Sequence, residues 1–376
     1  MPNTLLEITS PHIIHCGQGA FERIPAEATR LGSRAVIVTG RRLHGSEQIA
    51  ELVRNLESRG AAAHIADPVT AEPTVDMVDE LAGFLRSKQA DVVIAIGGGS
   101  VMDCAKAAAV MAVNEGSTED YQLRRREITN PPLAQIFAPT TAGTGSEATR
   151  VSVLTNPRIG VKRSISHPLM TPDVVMLDPD LTVSCPLYLT TTTAMDAFSH
   201  AIESAVSTKA TAYTRHTALA AIEKLGAGLP RCQADPSDTD ARLDCLLGAC
   251  LAGLAMQQGM GASHSLAPAL CIFTGMRHSE AIAVLLPHSI RLNIESVPAV
   301  YDEVKRALGT DDIAGRLEEL CSTGGFACSL ARFGVKESDW PAVREIMSRY
   351  ASHRQTNPVE VTNDYAEKLF LRAVRG

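Results

Sequence analysis

The chain has 376 residues, 45% of them apolar and 20% charged, with a net charge of −7 and an isoelectric point near 5.9. That length suffices for two domains of ordinary size, and the composition is that of a soluble globular protein. The acidic balance, without a long basic run, excludes nucleic acid and anionic membrane surfaces as partners, and the apolar runs are too short or too interrupted to span a bilayer.

Residues 8–19 read as a short extended hairpin. Residues 34–40, RAVIVTG, read as a buried strand ending in a turn. Residues 48–59 carry helical apolar spacing, 61–66 suggest another strand, and 73–88 form an amphipathic helix with Thr74 as N-cap. The run DVVIAIGGGS at 91–100 is a strand that ends in three glycines and turns helical over 101–107. Continuous apolar strands of this kind belong in a parallel sheet covered on both faces. Past Pro186 the strand signals fade. Ala/Leu-rich stretches at 194–207, 213–225, 241–258 and 279–295 read as helices, and 231–240 reads as a loop. The change falls near 182–190. It predicts an α/β dinucleotide-binding domain over 1–185 and an all-helical metal-binding and substrate domain over 186–376.

Nine scattered cysteines, odd in number and without a CxxC pair, point to reduced thiols and a cytoplasmic location. The opening MPNTLLEI lacks the charged and apolar regions of a signal peptide.

Three segments carry chemistry. Glycines 97, 98 and 99 with Ser100 sit where a strand becomes a helix. There the backbone can approach a pyrophosphate and free helix amides can receive its charge. Residues 138–149, APTTAGTGSEAT, hold too many small hydroxylated residues to build a core and can line a polar cleft. On the predicted helix 193–203, Asp196 and His200 lie one turn apart on one face. With His264 and His278 downstream they offer three imidazoles and one carboxylate, a set that suits zinc or ferrous iron rather than calcium or magnesium.

Together these segments resemble the iron-containing (group III) alcohol dehydrogenase family. Its GGGS-x-x-D-x-x-K loop matches residues 97–106, PTTAGTGSE matches 139–147, D-x-x-x-H matches 196–200, and the two later histidines are His264 and His278. Residues 162–179 and 281–287 are also similar to the family. The resemblance implies a dehydroquinate synthase-like fold, with an α/β N-terminal nucleotide-binding domain and an all-α C-terminal domain. It implies a metal held by Asp196, His200, His264 and His278. It further implies a pyrophosphate held by Gly97, Gly98, Gly99 and Ser100, and nucleotide contacts from Thr140, Thr141, Thr144, Thr149 and Lys162, with Asp103 of the same loop and Gly40 among the cofactor-binding positions. The implied activity is metal-dependent hydride transfer between NAD or NADP and a primary alcohol or aldehyde held at the metal. Fe2+ is the favoured ion, Zn2+ the alternative, and a homodimer or larger homo-oligomer is expected.

Two departures bear on the chemistry. The family usually carries a second histidine four positions after the first late ligand. Here that position is Pro268, which should shape a helix start. Beside His278 stands Glu280, which either orients that ligand or faces solvent. Cofactor choice turns on the end of strand 34–40. An acidic residue there repels a 2′-phosphate, and this chain has Gly40 followed by Arg41 and Arg42. NADP(H) should therefore be tolerated. Arg150 is read as a surface charge, and His216, His288 and the remaining histidines as structural or exposed. Competing readings are a metal-independent, maleylacetate-reductase-like enzyme, a dehydroquinate-synthase-like lyase, and a non-catalytic NAD-binding protein.

Overall fold

The computed structural model describes residues 7–70, 72–349 and 353–376. The opening segment read above against a signal peptide lies, up to residue 6, outside the described residues. The chain divides into two compact units, one running up to Thr141 and from Ser146 to Thr182, the other comprising Ala142–Gly145 and Val183–Gly376.

The first unit alternates strand and helix: β1 (Ile13–Cys16), α1 (Ile24–Leu31), β2 (Arg34–Thr39), α2 (Glu47–Ser58), β3 (Ala62–Ile65), α3 (Val75–Ser87), β4 (Val92–Gly97), α4 (Gly99–Met111), α5 (Thr118–Gln122), β5 (Ala134–Pro139), β6 (Val151–Asn156), β7 (Val161–Ser166) and β8 (Val174–Leu177). Six strands form one parallel sheet in the order β1-β8-β5-β4-β2-β3, while β6 and β7 make a separate antiparallel pair. Period-two alternation sorts the strand side chains. Val36, Val38, Val93, Ala95 and Phe137 enter one core with residues of α3 and α4, and Ala35, Ile37, Val92, Ile94 and Ile136 enter the other with α1 and α2. Each such fully buried Val or Ile contributes ~1.5–3 kcal/mol, which is why the central strands read as unbroken apolar runs. Thr74 caps α3, its hydroxyl accepting from the Met77 N–H.

The hairpin expected over 8–19 is not formed. β1 is an edge strand, and its partner is β8, with Ile13 opposite Val174 and Cys16 opposite Leu177. Local alternation reads the same whether the neighbouring strand is near or far in the chain.

The second unit is helical: α6 (Leu187–Val206), α7 (Ala212–Ala234), α8 (Thr239–Ala255), α9 (Ala262–Thr274), α10 (His278–Asn293), α11 (Pro298–Leu308), α12 (Ile313–Thr323), α13 (Trp340–Ser348) and α14 (Asn363–Arg375). Almost all of α6 from Thr190 onward is buried, so it is the central element of this core. The loop expected over 231–240 is shorter than its composition suggests. α7 continues through Pro230, because Leu229 and Cys232 are fully buried on its core side and tertiary packing overrides the local signal. Among the described residues no single helix is long and apolar enough to cross a membrane.

Candidate metal and cofactor sites

Asp196 and His200 project from one face of α6, and His264 is the third residue of α9. One ligand atom from each of the three lies within 4.8 Å of the others, and all three residues are buried. His278 opens α10 and joins them. Asp196 Oδ1 stands 3.8 Å from His200 Nε2, 3.9 Å from His264 Nε2 and 3.6 Å from His278 Nε2. Two ligands at about 2.1 Å from a common tetrahedral ion lie roughly 3.4 Å apart, close to this spacing.

The donor set itself tests whether a cation fits. Asp196 Oδ1 and His264 Nε2 are buried and have no hydrogen-bond partner. Leaving such groups unpaired costs about 1–3 kcal/mol each. Both are acceptors and both converge on one point, so a single cation placed there would satisfy both. Burial, with His200 and His353 adding to it, holds the His264 imidazole well below the usual histidine range. Its neutral form is the one that ligates.

Glu203 completes the arrangement, seven residues after Asp196 on the same helix. Its buried carboxylate accepts from the backbone N–H of Gly261 and Ser263, both at 2.8 Å, and from His264 Nδ1 at 2.7 Å. It thereby satisfies orphan amides at the start of α9 and fixes the His264 tautomer, leaving Nε2 toward Asp196. Burial raises the Glu203 carboxyl, against the pull of those two amides. The residue was missed in the sequence, although the spacing 196, 200, 203 on one helix face signals it. His353 was also missed. Grouped above with structural or exposed histidines, it lies beside His264 with ring centroids 6.3 Å apart. No local pattern marks it.

Pro268 lies in the interior of α9 rather than at a helix start. Without an N–H it cannot bond the His264 carbonyl one turn back. Glu280 does not simply face solvent. Its carboxylate accepts from the Arg277 N–H at 2.8 Å, capping α10, and from the Tyr188 hydroxyl at 2.7 Å. His288 and His216 are bonded to backbone carbonyls of Cys328 and Ala212. Arg150 is ion-paired with Glu7.

In the first unit, β4 passes directly into α4, whose N-terminal residues Gly98, Gly99 and Ser100 are partly accessible. A Cβ on Gly97 would lie 2.5 Å from Val101 Cγ2, so only glycine allows the strand to turn this sharply into the helix. Gly40 follows β2, Gly97 ends β4 and Thr140 follows β5, and these strands are neighbours in the sheet. Strand order reverses between β2 and β4, and the carboxyl ends of strands at such a switch point are where nucleotides bind. Thr140 is anchored by its N–H to the Gly97 carbonyl at 3.0 Å, and Thr141 is partly accessible beside it. Thr144 lies in the short stretch grouped with the second unit.

Three of the expected cofactor-contacting side chains have protein partners here. The half-buried Asp103 carboxylate accepts from the Ser146 hydroxyl at 2.5 Å and the Val153 N–H at 2.9 Å. Thr149 is buried, and its hydroxyl and carbonyl both accept from Lys106 Nζ. Lys106 is fully buried and also donates to Ser146 and Val151, tying residues 146–151 to α4. Lys162 Nζ pairs with Glu72 at 2.9 Å.

The family model for iron-containing alcohol dehydrogenase matches residues 11–179, and that for the Fe-containing alcohol dehydrogenase family, C-terminal, matches residues 190–374. Long-chain-alcohol dehydrogenase 1 of Geobacillus thermodenitrificans is 33% identical over 350 residues, covering 89% of this chain and 88% of that protein. Maleylacetate reductase 1 of Cupriavidus pinatubonensis is 30% identical over 380 residues, covering 100% of this chain and 98% of that one. A solved structure of sulfoacetaldehyde reductase from Bifidobacterium kashiwanohense in complex with NAD+ is 30% identical, with a TM-score of 0.90 over 99% of both chains.

Proposed function

Since the chain belongs to the iron-containing alcohol dehydrogenase family, we propose that Asp196, His200, His264 and His278 hold a divalent metal, ferrous iron in the first instance. The observation that carries this reading is the convergence of two buried, unpartnered acceptors, Asp196 Oδ1 and His264 Nε2, on one point. The enzyme is an NAD-dependent oxidoreductase acting on CH–OH groups, and its proposed substrate is a primary alcohol or the corresponding aldehyde. When bound, the metal supplies Lewis acidity toward a hydroxyl or carbonyl oxygen, and the nicotinamide supplies the hydride chemistry.

The chain's own residues bind and orient. Asp196 brings the one formal negative charge of the ligand set, and three neutral imidazoles leave a divalent ion with a residual positive charge. Glu203 holds His264 in one tautomer and one orientation. In the first unit, the α4 N-terminus at Gly98–Ser100 offers amides to a pyrophosphate, with Thr140 and Thr141 beside it. Gly40 puts no carboxylate where a 2′-phosphate would sit, and Arg41 and Arg42 follow it, which supports use of NADP(H) as well as NAD(H). The first unit is thus read as the dinucleotide domain and the second as the metal and substrate domain. Nine cysteines outside any disulfide among the described residues fit a reducing compartment such as the cytoplasm.

The test is alcohol oxidation and aldehyde reduction with NAD(H) and NADP(H), before and after chelation, with Fe2+ or Zn2+ restored. Activity lost on chelation and regained with one ion supports the metal site and names its ion. Chelator-resistant turnover of an unsaturated keto acid overturns it in favour of the maleylacetate-reductase reading.

A further inference from the structure

We infer that His353, from the loop between α13 and α14, is a positioning residue of the metal centre. It acts by closing the edge of the His264 imidazole. The inference rests on the metal site proposed above and adds to it a residue far from every ligand in the chain.

His264 is held on three sides. His200 stacks on its face, with ring centroids 4.8 Å apart and planes at 24°. Glu203 accepts from its Nδ1. His353 meets it edge-on, at 6.3 Å and 72°. The third contact is built in by the backbone, not left to a surface side chain. His353 adopts φ +66°, the left-handed region that costs a non-glycine residue strain and persists only where its surroundings enforce it.

The enforcement is visible in the residues that follow. The Thr356 hydroxyl donates to the Met260 carbonyl, and the Thr356 carbonyl accepts from the Thr208 N–H at 2.9 Å. The buried Asn357 amide oxygen accepts from the Ala262 N–H at 3.1 Å and from Asn293 Nδ2 at 2.9 Å. Asn293 in turn accepts from the Tyr365 hydroxyl at 2.8 Å, which locks the loop to α14. The loop is therefore fastened on both sides of Gly261, three residues before His264. A Cβ on Gly261 would lie 2.8 Å from Asn357 Oδ1 and 3.1 Å from the Glu203 carboxyl carbon, so loop, carboxylate and ligand helix meet at one point with no spare room. Displacing the loop moves the start of α9, and the His264 ring with it.

The test uses Co2+ as the probe, read by its visible d–d absorption and its dissociation constant in the full-length protein. His353→Asn keeps a residue that tolerates the left-handed backbone and removes the ring. His353→Phe restores an aromatic edge. The asparagine variant is expected to weaken Co2+ binding about tenfold and shift the d–d bands. The phenylalanine variant should regain most of the affinity. Apo-protein melting temperatures equal to wild type establish that the loop is intact. Wild-type affinity and spectrum in His353→Asn overturn the inference alone. Equal weakening in both variants, with unchanged bands, assigns the loss to the loop backbone and also overturns it. A wild-type protein that takes up no Co2+ overturns the metal site itself.

Discussion

The Glu203 carboxylate and the His264 ring are joined at 2.7 Å through Nδ1, inside the core of the helical unit, while the other nitrogen of the same ring faces Asp196. One side chain of α6 thus decides how α9 presents its ligand.

Replacing that carboxylate by an amide tests the relationship. Glu203→Gln retains the volume but offers one oxygen where three donors now converge. Metal affinity should fall by ~10–100-fold, with alcohol turnover falling in parallel at fixed metal concentration. Metal content after dialysis, together with a metal titration, measures it. Unchanged affinity would show that the tautomer of His264 needs no carboxylate.

Gly97→Ala places a methyl group against Val101 and should cost ~1–3 kcal/mol. Gly97→Ala/Val101→Ala should recover only part of that loss, because trimming Val101 removes its Cγ contacts while its Cβ would still lie 2.6 Å from the new methyl. Denaturant midpoints of the four proteins give the coupling directly.

Gly40→Asp restores a carboxylate at the end of β2. NADP(H) use should fall at least about tenfold in kcat/KM, ~1.4 kcal/mol, by repulsion of the 2′-phosphate, while NAD(H) use stays within a small factor. A parallel loss with both cofactors would place Gly40 away from the ribose.

The Glu147 carboxyl is pushed up to about 7 by burial, from an ordinary value near 4.5. Between those values the folded chain holds a proton that the unfolded chain has released. This stabilising term is complete below pH 4.5 and is lost as pH rises through 7. Glu147→Gln removes it. The variant should match wild type near pH 4.5 and exceed it by on the order of 3 kcal/mol at pH 8. Urea melts at the two pH values check the sign, and a constant difference would refute it.

The Asp196–His200 pair and the strand-to-helix glycine turn were legible without coordinates because each is local. Asp196 and His200 are one helical turn apart, and residues 91–100 pass from strand to helix in consecutive positions. What escaped depends on partners far along the chain. Asp103 and Thr149 lie in the right motifs, yet their polar atoms are taken by Ser146, Val153 and Lys106. His353 acts through a loop held by Met260 and Ala262, nearly a hundred positions earlier. Pro268 and Pro230 sit inside helices because core packing outweighs their local cost.

The placement of β1 has a consequence for how the protein is made. It is the first strand of the sheet to be synthesised, and the strand it pairs with, β8, begins only at Val174. A growing chain therefore carries β1 unpaired until almost the whole first unit has been translated. The Phe21 N–H, bonded in the finished fold to Asp178, waits equally long. Loop closure over that span is slow, and exposed strand edges invite association between neighbouring nascent chains. The interval before residue 177 emerges is when this protein is most exposed to aggregation, and when a chaperone would have most to protect.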